Sequence, residues 1–103
     1  MRNRMIAKKE TMYVKVIIPA TLRQFTDGLE TVKITANSAI IFNVSSCLDT
    51  LKVKYPELGS KLYDKDGNLA RFVHVFVNGR KALLDDVLIQ GDEVLILIAV
   101  AGG

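Results

Sequence analysis

Residues 90–103 read QGDEVLILIAVAGG, and this closing stretch decides the fold. Gln90, Gly91 and Asp92 have the composition of a turn, and every residue from 94 to 101 is apolar. A strand that is apolar on both faces is typical of the middle of a sheet that is covered on at least one side. The pattern therefore predicts a central last strand, from which residues 100–103 project beyond the sheet edge into solvent.

The two glycines of this tail, Gly102 and Gly103, allow two interpretations. Chain ends are often frayed, and small residues collect there. The alternative is that the terminal carboxylate of Gly103 is the reactive group of the protein. ATP can convert a carboxylate to an acyl-adenylate, and for that the chain end must enter another protein's active site. Glycine suits that role because it has no Cβ atom, so the carboxylate can approach a nucleotide closely in a narrow channel. The slim residues 99–101, which end in Ala101, fit the same channel.

Three earlier segments show the two-residue period of strands. They are residues 12–19, MYVKVIIP, residues 29–35, LETVKIT, and residues 71–79, RFVHVFVNG. In the first segment Val14, Val16 and Ile18 share one face. We expect the first two strands to pair antiparallel across a longer loop. Asn78-Gly79 predicts a hairpin, because both residues tolerate a positive φ angle.

Residues 43–56, NVSSCLDTLKVKYP, change to helical spacing. Apolar side chains recur at steps of three and four residues, which places them on one helix face. Asn43 is expected to cap the start of the helix and Pro56 to end it. Ser38 is an alternative cap for a longer helix, but the later start is favoured, which leaves residues 36–42 as an extended linker. Residues 57–68 predict a short helical turn and a tight turn at Asp66-Gly67.

The order of elements is strand, strand, helix, strand, a short element and strand, with the short element in the weakly patterned residues 80–93. Parallel pairing of the first and last strands keeps the most apolar strand in the middle of the sheet. The sequence therefore predicts an α+β fold, in which one main helix packs across one face of a mixed sheet.

One domain accounts for the 103 residues, with residues 1–11 as a disordered basic extension and residues 12–103 as the folded unit. The net charge of +3 resides wholly in residues 1–11, because ten basic and ten acidic side chains balance in the rest. A neutral body is not typical of nucleic-acid binders, and the longest apolar run is too short for a membrane helix. A single cysteine cannot form an internal disulfide, so we expect a cytoplasmic protein.

Side chains able to perform catalysis are scarce in this sequence. His74 lies in a strand between valines, which is typical of a half-buried sheet residue. Cys47 falls within the predicted helix, where a small thiol is usually buried. No second cysteine stands at metal-ligand spacing, so no metal is expected. We therefore expect neither catalysis by this chain alone nor a permanently bound cofactor.

Four segments, in this order, resemble the ubiquitin-like β-grasp sulfur carriers. They are VKVIIPATLRQFTDG from residue 14, CLDTLKVKYPEL from residue 47, DKDGNLARFVHVFVNG from residue 64 and QGDEVLILIAVAGG from residue 90. That family includes the small subunit of molybdopterin synthase (MoaD) and the sulfur carriers of thiamine (ThiS) and cysteine (CysO) biosynthesis. The resemblance covers about residues 13–103 and implies a β-grasp fold. The third segment looks closest to the carriers of cysteine biosynthesis and related secondary metabolism.

The resemblance implies that the chain is a protein co-substrate. A ubiquitin-activating-type enzyme uses ATP to adenylate the terminal glycine, and a persulfide or sulfide then displaces the nucleotide to leave a thiocarboxylate. An acceptor enzyme takes the sulfur into its product; the candidates are a cysteine synthase-like enzyme, the large subunit of molybdopterin synthase and thiazole synthase. In this scheme Gly103 carries the sulfur. Gly102 keeps the chain narrow enough to enter the partner's active site, and Ala101 lies in the segment that the partner binds.

Partner enzymes are also expected to hold the folded domain. Phe72 and Phe76, with Ile17 on the first strand, are candidates for an exposed apolar patch that partners contact. Arg23 and Arg71 are candidates for its polar rim. The alternative is that these residues pack against the chain itself. The free carrier is expected to be a monomer.

Two other functions share the same fold and tail. One is a ubiquitin-like modifier that is joined through Gly103 to lysines of target proteins. The other is the small subunit of a molybdopterin synthase, whose tail inserts into its partner's catalytic pocket. The chain departs from the family pattern in two places: LIAVAGG lacks the proline that often precedes the tail, and residues 36–42 look longer than the usual link into the helix.

Overall fold

The computed structural model describes residues 11–99. Five strands form one sheet: β1 (Thr11–Ile17), β2 (Thr31–Asn37), β3 (Val73–Val77), β4 (Arg80–Lys81) and β5 (Glu93–Ile98). A 3₁₀ helix (Ala20–Thr26) joins β1 to β2, and two α-helices, α1 (Val44–Lys54) and α2 (Pro56–Leu62), follow β2. Of the predicted extension, only Thr11 lies within the described residues, and it begins β1 one residue earlier than the strand pattern predicts.

The strands are arranged in the order β2-β1-β5-β3-β4. β5 is parallel to β1 and antiparallel to β3, whereas β1 pairs antiparallel with β2 and β3 pairs antiparallel with β4. The predicted parallel pairing of the first and last strands is therefore confirmed, and so is the central place of the most apolar strand. Parallel neighbours need a long crossover connection, and the helices lie within it.

The inner face of the sheet supplies one side of the core. Val32, Val16, Val94 and Val77 stand opposite one another on four successive strands. Helices α1 and α2 cover this face with leucines that are almost completely buried, namely Leu48, Leu51, Leu58 and Leu62. Burial of each such side chain contributes about 1.5–3 kcal/mol to the free energy of unfolding. Packing against the helices therefore determines which face of each strand is buried in the core.

Helix α1 begins where the sequence predicts. The Asn43 Oδ1 atom accepts hydrogen bonds from the backbone N–H of Ser46 at 2.8 Å and from its hydroxyl at 2.9 Å. The predicted stop at Pro56 needs a correction, because α1 ends at Lys54 and Pro56 is the first residue of α2. Proline is compatible with that position, since the N–H it lacks has no partner in the first helical turn. The predicted short helical turn is thus a seven-residue helix.

The predicted long loop between β1 and β2 contains the 3₁₀ helix. Leu22 and Thr26 point inward from it, and the Thr26 hydroxyl donates to the carbonyl of Leu29 at 3.0 Å. Asp27 and Gly28 then reverse the chain with φ angles of 57° and 81°. The turn chemistry at these two residues is visible in the sequence. The helix before it is not, because two buried positions are too few to establish a period.

The β3–β4 hairpin has the turn that Asn78-Gly79 predicts, with φ angles of 51° and 86°. The Asn78 side chain also ties this hairpin to β5. Its Nδ2 atom donates to Asp92 Oδ1 at 2.9 Å, and its Oδ1 atom accepts from the Glu93 N–H at 3.0 Å. The other carboxylate oxygen of Asp92 accepts from the Ile89 N–H at 2.9 Å. These bonds fix the point at which β5 enters the sheet.

The predicted architecture is confirmed, since a mixed five-stranded sheet with its helices packed across one face is a ubiquitin-like β-grasp fold. The sheet has two ends that matter for function. We call the end at which β5 finishes the tail end; β1 also finishes there, and β3 begins there. We call the opposite end, at which β5 begins, the entry end.

Candidate functional site

The tail end fixes the point at which the C-terminal segment leaves the domain. Ile98, the last residue of β5, pairs with Val73, and the N–H of Ala99 donates to the carbonyl of Phe72 at 2.7 Å. The chain therefore reaches Ala99 with its backbone still hydrogen-bonded to the residue that precedes β3. The predicted tail residues Ala101, Gly102 and Gly103 lie outside the described residues.

The outer face of the sheet, opposite the helices, carries an apolar row near its middle. Leu95 on β5 stands between Ile17 on β1 and Phe76 on β3, and all three side chains are half-buried. We call these three residues the outer row. Two of them, Ile17 and Phe76, are predicted site residues, and the strand register brings them together across Leu95. The sequence prediction omits Leu95, although the last strand is apolar on both faces and this pattern indicates an apolar residue on the outer face.

Phe72 lies closer to the tail end than the outer row does. Its side chain is 47% exposed, and its backbone is the hydrogen-bond partner of Ala99. Leu97, which is 41% exposed, pairs with His74 between the outer row and this point. His74 is half-buried in the sheet, as predicted, and its Nδ1 atom lies 2.9 Å from Lys81 Nζ. An apolar surface thus extends along β5 from the outer row to the tail end.

The two candidate rim arginines have different surroundings. Arg23 lies in the 3₁₀ helix, where its Nε–H donates to the carbonyl of Ile18 at 3.0 Å. Its Nη2 atom is 4.0 Å from a carboxylate oxygen of Glu30. These contacts tie the 3₁₀ helix to the end of β1, so an acidic partner group would share this guanidinium with Glu30. Arg71 is exposed and immediately precedes Phe72.

Cys47 is fully buried in α1, as the sequence predicts. Burial raises the pKa of its thiol to about 12, because the apolar surroundings disfavour the charged thiolate. The thiolate, and not the thiol, is the nucleophile in the reactions of cysteine. At neutral pH this thiol is therefore both inaccessible and protonated. The one cysteine of the chain has the properties of a core residue.

Other kinds of site find little support in residues 11–99. These residues contain no group of three or more side chains suited to hold a metal ion. They also contain no helix long and apolar enough to cross a membrane. A concavity of about 570 Å³ lies at the entry end, lined in part by Asn78, Asp86 and Asp92. Its carboxylates already accept hydrogen bonds from the chain, so it is not a prepared ligand site.

The sheet order, the buried thiol and the anchored strand leading to a diglycine tail together define a ubiquitin-like carrier domain. Comparison with known proteins agrees. A model of the ThiS family matches residues 16–103. The sulfur carrier protein CysO of Mycobacterium tuberculosis is 33% identical over 98 residues, a match that covers 89% of this chain and 100% of the relative.

Two solved structures share the fold over most of the chain. Small archaeal modifier protein 1 of Haloferax volcanii superposes with a TM-score of 0.79 at 28% identity, covering 88% of this chain and 99% of that protein. A chain of the Amycolatopsis orientalis BexX/CysO complex superposes with a TM-score of 0.68 at 29% identity, covering 87% and 99%. The chain belongs to the ThiS family. It is a sulfur carrier of the ThiS, MoaD and CysO type, and such carriers are not themselves enzymes.

Proposed function

We propose that this carrier holds sulfur as a thiocarboxylate on Gly103 and donates it in a biosynthetic pathway. A ubiquitin-activating-type enzyme joins a carboxylate oxygen of Gly103 to the α-phosphorus of ATP and releases pyrophosphate. Sulfide then attacks the acyl carbon, the bond between that carbon and the adenylate oxygen breaks, and AMP leaves. The C-terminal thiocarboxylate that remains is the form that an acceptor enzyme uses.

The family match carries this proposal, because it extends from β1 through Gly102 and Gly103. Burial of Cys47 supports it independently. The chain has a single cysteine, and its thiol is enclosed by the core, so covalently held sulfur needs another attachment point. A C-terminal acyl group meets that need once it has been activated.

The contribution of the fold is to position the tail. β5 is hydrogen-bonded on both sides, to β1 and to β3, and the N–H of Ala99 is tied to Phe72. The start of the tail is therefore fixed relative to the outer row. An enzyme that binds the outer row and Phe72 also brings the tail into a defined place, which lowers the entropic cost of aligning the reacting groups.

Two kinds of partner take part in this scheme. The first is the adenylyltransferase, for which ATP is a substrate, so no cofactor resides on the carrier. The second is the sulfur acceptor: a cysteine synthase-like enzyme, the large subunit of molybdopterin synthase or thiazole synthase. Similarity to CysO proteins favours the cysteine synthase-like enzyme. We place the cycle in the cytoplasm, since the chain has one cysteine and no possible internal disulfide.

The test is the intact-protein mass after incubation with ATP, a cognate activating enzyme and a sulfide source. We expect a gain equal to the replacement of one oxygen by sulfur, located in the last peptide and dependent on ATP. Two variants, deletion of Gly103 and addition of one residue after it, should lose the conversion. Cys47→Ala should retain it. A mass gain located in any other peptide, or no gain where a known carrier is converted, contradicts the proposal.

A ubiquitin-like modifier is the second candidate, favoured by the close superposition with small archaeal modifier protein 1. Both functions begin with adenylation of Gly103, so they differ only in what attacks the acyl carbon. A lysine of a target protein gives an amide and a ladder of heavier conjugates. A stable one-to-one complex with the large subunit of molybdopterin synthase would instead identify the chain as the small subunit of that enzyme.

A further inference from the structure

A lysine stands at the β4 end of the outer row. In the antiparallel register of β3 with β4, Lys81 lies opposite Phe76, so the two side chains leave the same face of the sheet. Ile17, Leu95, Phe76 and Lys81 therefore form one line across four strands. The Lys81 side chain is exposed, and β4 is an edge of the sheet. A protein that covers the outer row thus also meets this ammonium group.

His74 orients the ammonium group of Lys81. The His74 Nδ1 atom lies 2.9 Å from Lys81 Nζ. An ammonium group has no lone pair, so Nζ donates and Nδ1 accepts, which places the proton of the neutral imidazole on Nε2. His74 is half-buried within β3, so the acceptor is attached to a fixed part of the sheet. This contact orders the lysine before a partner arrives and lowers the entropic cost of binding it.

The charge of Lys81 is not neutralised within residues 11–99. A neutral imidazole accepts a hydrogen bond but supplies no negative charge. The ion pairs in this range join Lys15 to Glu93 and Arg23 to Glu30, and neither includes Lys81. An ammonium group has three N–H donors, and His74 takes one of them. Two oriented donors are therefore left for an anionic group of another molecule.

The outer face as a whole is positive around an apolar centre. The strands of the described domain contain one acidic residue, Glu93, and Lys15 pairs with it at 3.6 Å. Lys33 lies opposite Lys15 on β2, with its Nζ atom 4.5 Å from the centroid of the Tyr13 ring. Cations that lack a carboxylate partner in the domain thus stand on both sides of the outer row, on β2 and on β4.

This charge pattern selects the chemistry of the partner. A purely apolar occupant of the outer face would cover the Lys81 ammonium without replacing the water that solvates it, which is unfavourable. A surface with an apolar centre and a carboxylate opposite Lys81 replaces that water by a charge-assisted hydrogen bond. Such complementary charges also fix the orientation in which two proteins dock.

We propose that Lys81 determines the affinity of this carrier for its activating enzyme, through an ion pair with a carboxylate of the enzyme surface that covers the outer row. His74 is the positioning residue of that contact. The inference rests on the proposed function, since it concerns the enzyme that adenylates Gly103. Leu95, at the level of Lys81, lies four residues before Ala99, or about 13 Å of extended chain. The ion pair therefore acts on binding and not on the chemical step at the tail.

The test is isothermal titration calorimetry of the full chain with its activating enzyme, without ATP, at a series of NaCl concentrations. Lys81→Met should raise the dissociation constant about tenfold at low salt and make it less dependent on salt, because the lost ion pair is screened by salt. Lys81→Arg keeps the charge and should stay within about threefold of the parent. Lys54→Met is the matched control, since it removes one exposed charge from the end of α1, on the helix side of the sheet, and should change neither quantity.

A double-mutant cycle separates positioning by His74 from general support of the sheet. His74→Leu should raise the dissociation constant about threefold, because Lys81 loses its acceptor, and should have almost no effect when Lys81 is already methionine. Equal effects in the two backgrounds would overturn the positioning role. Thermal unfolding of each variant, expected within about 4 °C of the parent, separates loss of the contact from loss of folding.

Three results would overturn the role of Lys81: binding of Lys81→Met as tight as that of the parent, equal weakening by Lys54→Met, or no binding of the parent to the enzyme. Failure of the proposed function gives a different result. The parent then binds the enzyme through Lys81, but no thiocarboxylate forms on Gly103 with ATP and sulfide. Where the thiocarboxylate does form, Lys81→Met should reach the rate of the parent at saturating carrier concentration.

Discussion

Cys47 lies in α1 with its thiol in the core, where burial raises the pKa to about 12. In the folded protein at pH 8 the thiol is therefore almost entirely protonated, and no reagent reaches it directly. Reaction with an alkylating agent requires the helix to open, so its rate is limited by the population of opened molecules.

This burial predicts a selective labelling pattern. Iodoacetamide at pH 8 should leave Cys47 of the native carrier essentially unmodified over a time in which a free peptide thiol reacts completely. In guanidinium chloride the same residue should react fully. After activation with ATP and sulfide, the native protein should acquire one alkyl group, on Gly103. Peptide mass spectrometry locates the label, and native labelling of Cys47 at the rate of a free thiol would contradict the structure.

Among the helices, α1 is the one whose start is capped by a side chain, that of Asn43. Asn43 satisfies the backbone N–H of Ser46 at a helix end that has no other side-chain cap. The C-terminal end of α1 is closed instead by the Tyr55 N–H, which donates to the Leu51 carbonyl at 2.8 Å before α2 begins. The capping bond at Asn43 is thus the side-chain contact that sets where the helix starts.

Asn43→Ala should lower the free energy of unfolding by about 1 kcal/mol, the usual cost of losing an N-cap. Chemical denaturation monitored by circular dichroism measures the loss. Ser60→Ala is a suitable control, since the exposed Ser60 hydroxyl donates to the Glu57 carbonyl within α2 and caps nothing. It should change the free energy of unfolding by less than about 0.5 kcal/mol. Equal losses in the two variants would show that capping does not stabilise α1.

The elements also show how much of the fold the sequence predicts. The alternation of Val14, Val16 and Ile18 and the cap at Asn43 are local signals, and the structure agrees with both. The outer row is not local, because Ile17 and Leu95 are 78 positions apart and meet only through the parallel pairing of β1 with β5. Pro56 misleads for a different reason, since proline is compatible with the start of a helix as well as with the end of one.

At the scale of the whole molecule, the two ends of the sheet have separate surfaces. Phe72 and Leu97 are exposed near the tail end, and Ile41, in the loop after β2, is exposed at the other end. Aromatic residues, phenylalanine among them, are enriched at protein interfaces, where a few residues provide most of the binding energy. We therefore expect substitutions on the tail-end surface to weaken binding to the activating enzyme, and substitutions at the entry end to leave that binding unchanged.

Phe72→Ala should raise the carrier concentration needed for half-maximal thiocarboxylate formation about tenfold, which corresponds to about 1.4 kcal/mol of binding energy. Its maximal rate and its unfolding free energy should change little, because the ring is 47% exposed. Leu84→Ala is the matched control, at 43% exposure and beside the start of α1. An unchanged half-saturation point for Phe72→Ala, or the same shift in both variants, would exclude Phe72 from the enzyme contact.

The hydrogen bond between Ala99 and Phe72 also sets a limit on distance. Gly103 lies four positions after Ala99, and four residues of fully extended chain span at most about 14 Å. The acyl carbon of Gly103 cannot lie farther than that from the sheet while the bond is intact. Any enzyme that acts on it must therefore bring its nucleotide or its sulfur donor within that reach. A catalytic centre at the bottom of a deeper channel could be reached only if the hydrogen bond between Ala99 and Phe72 opened first.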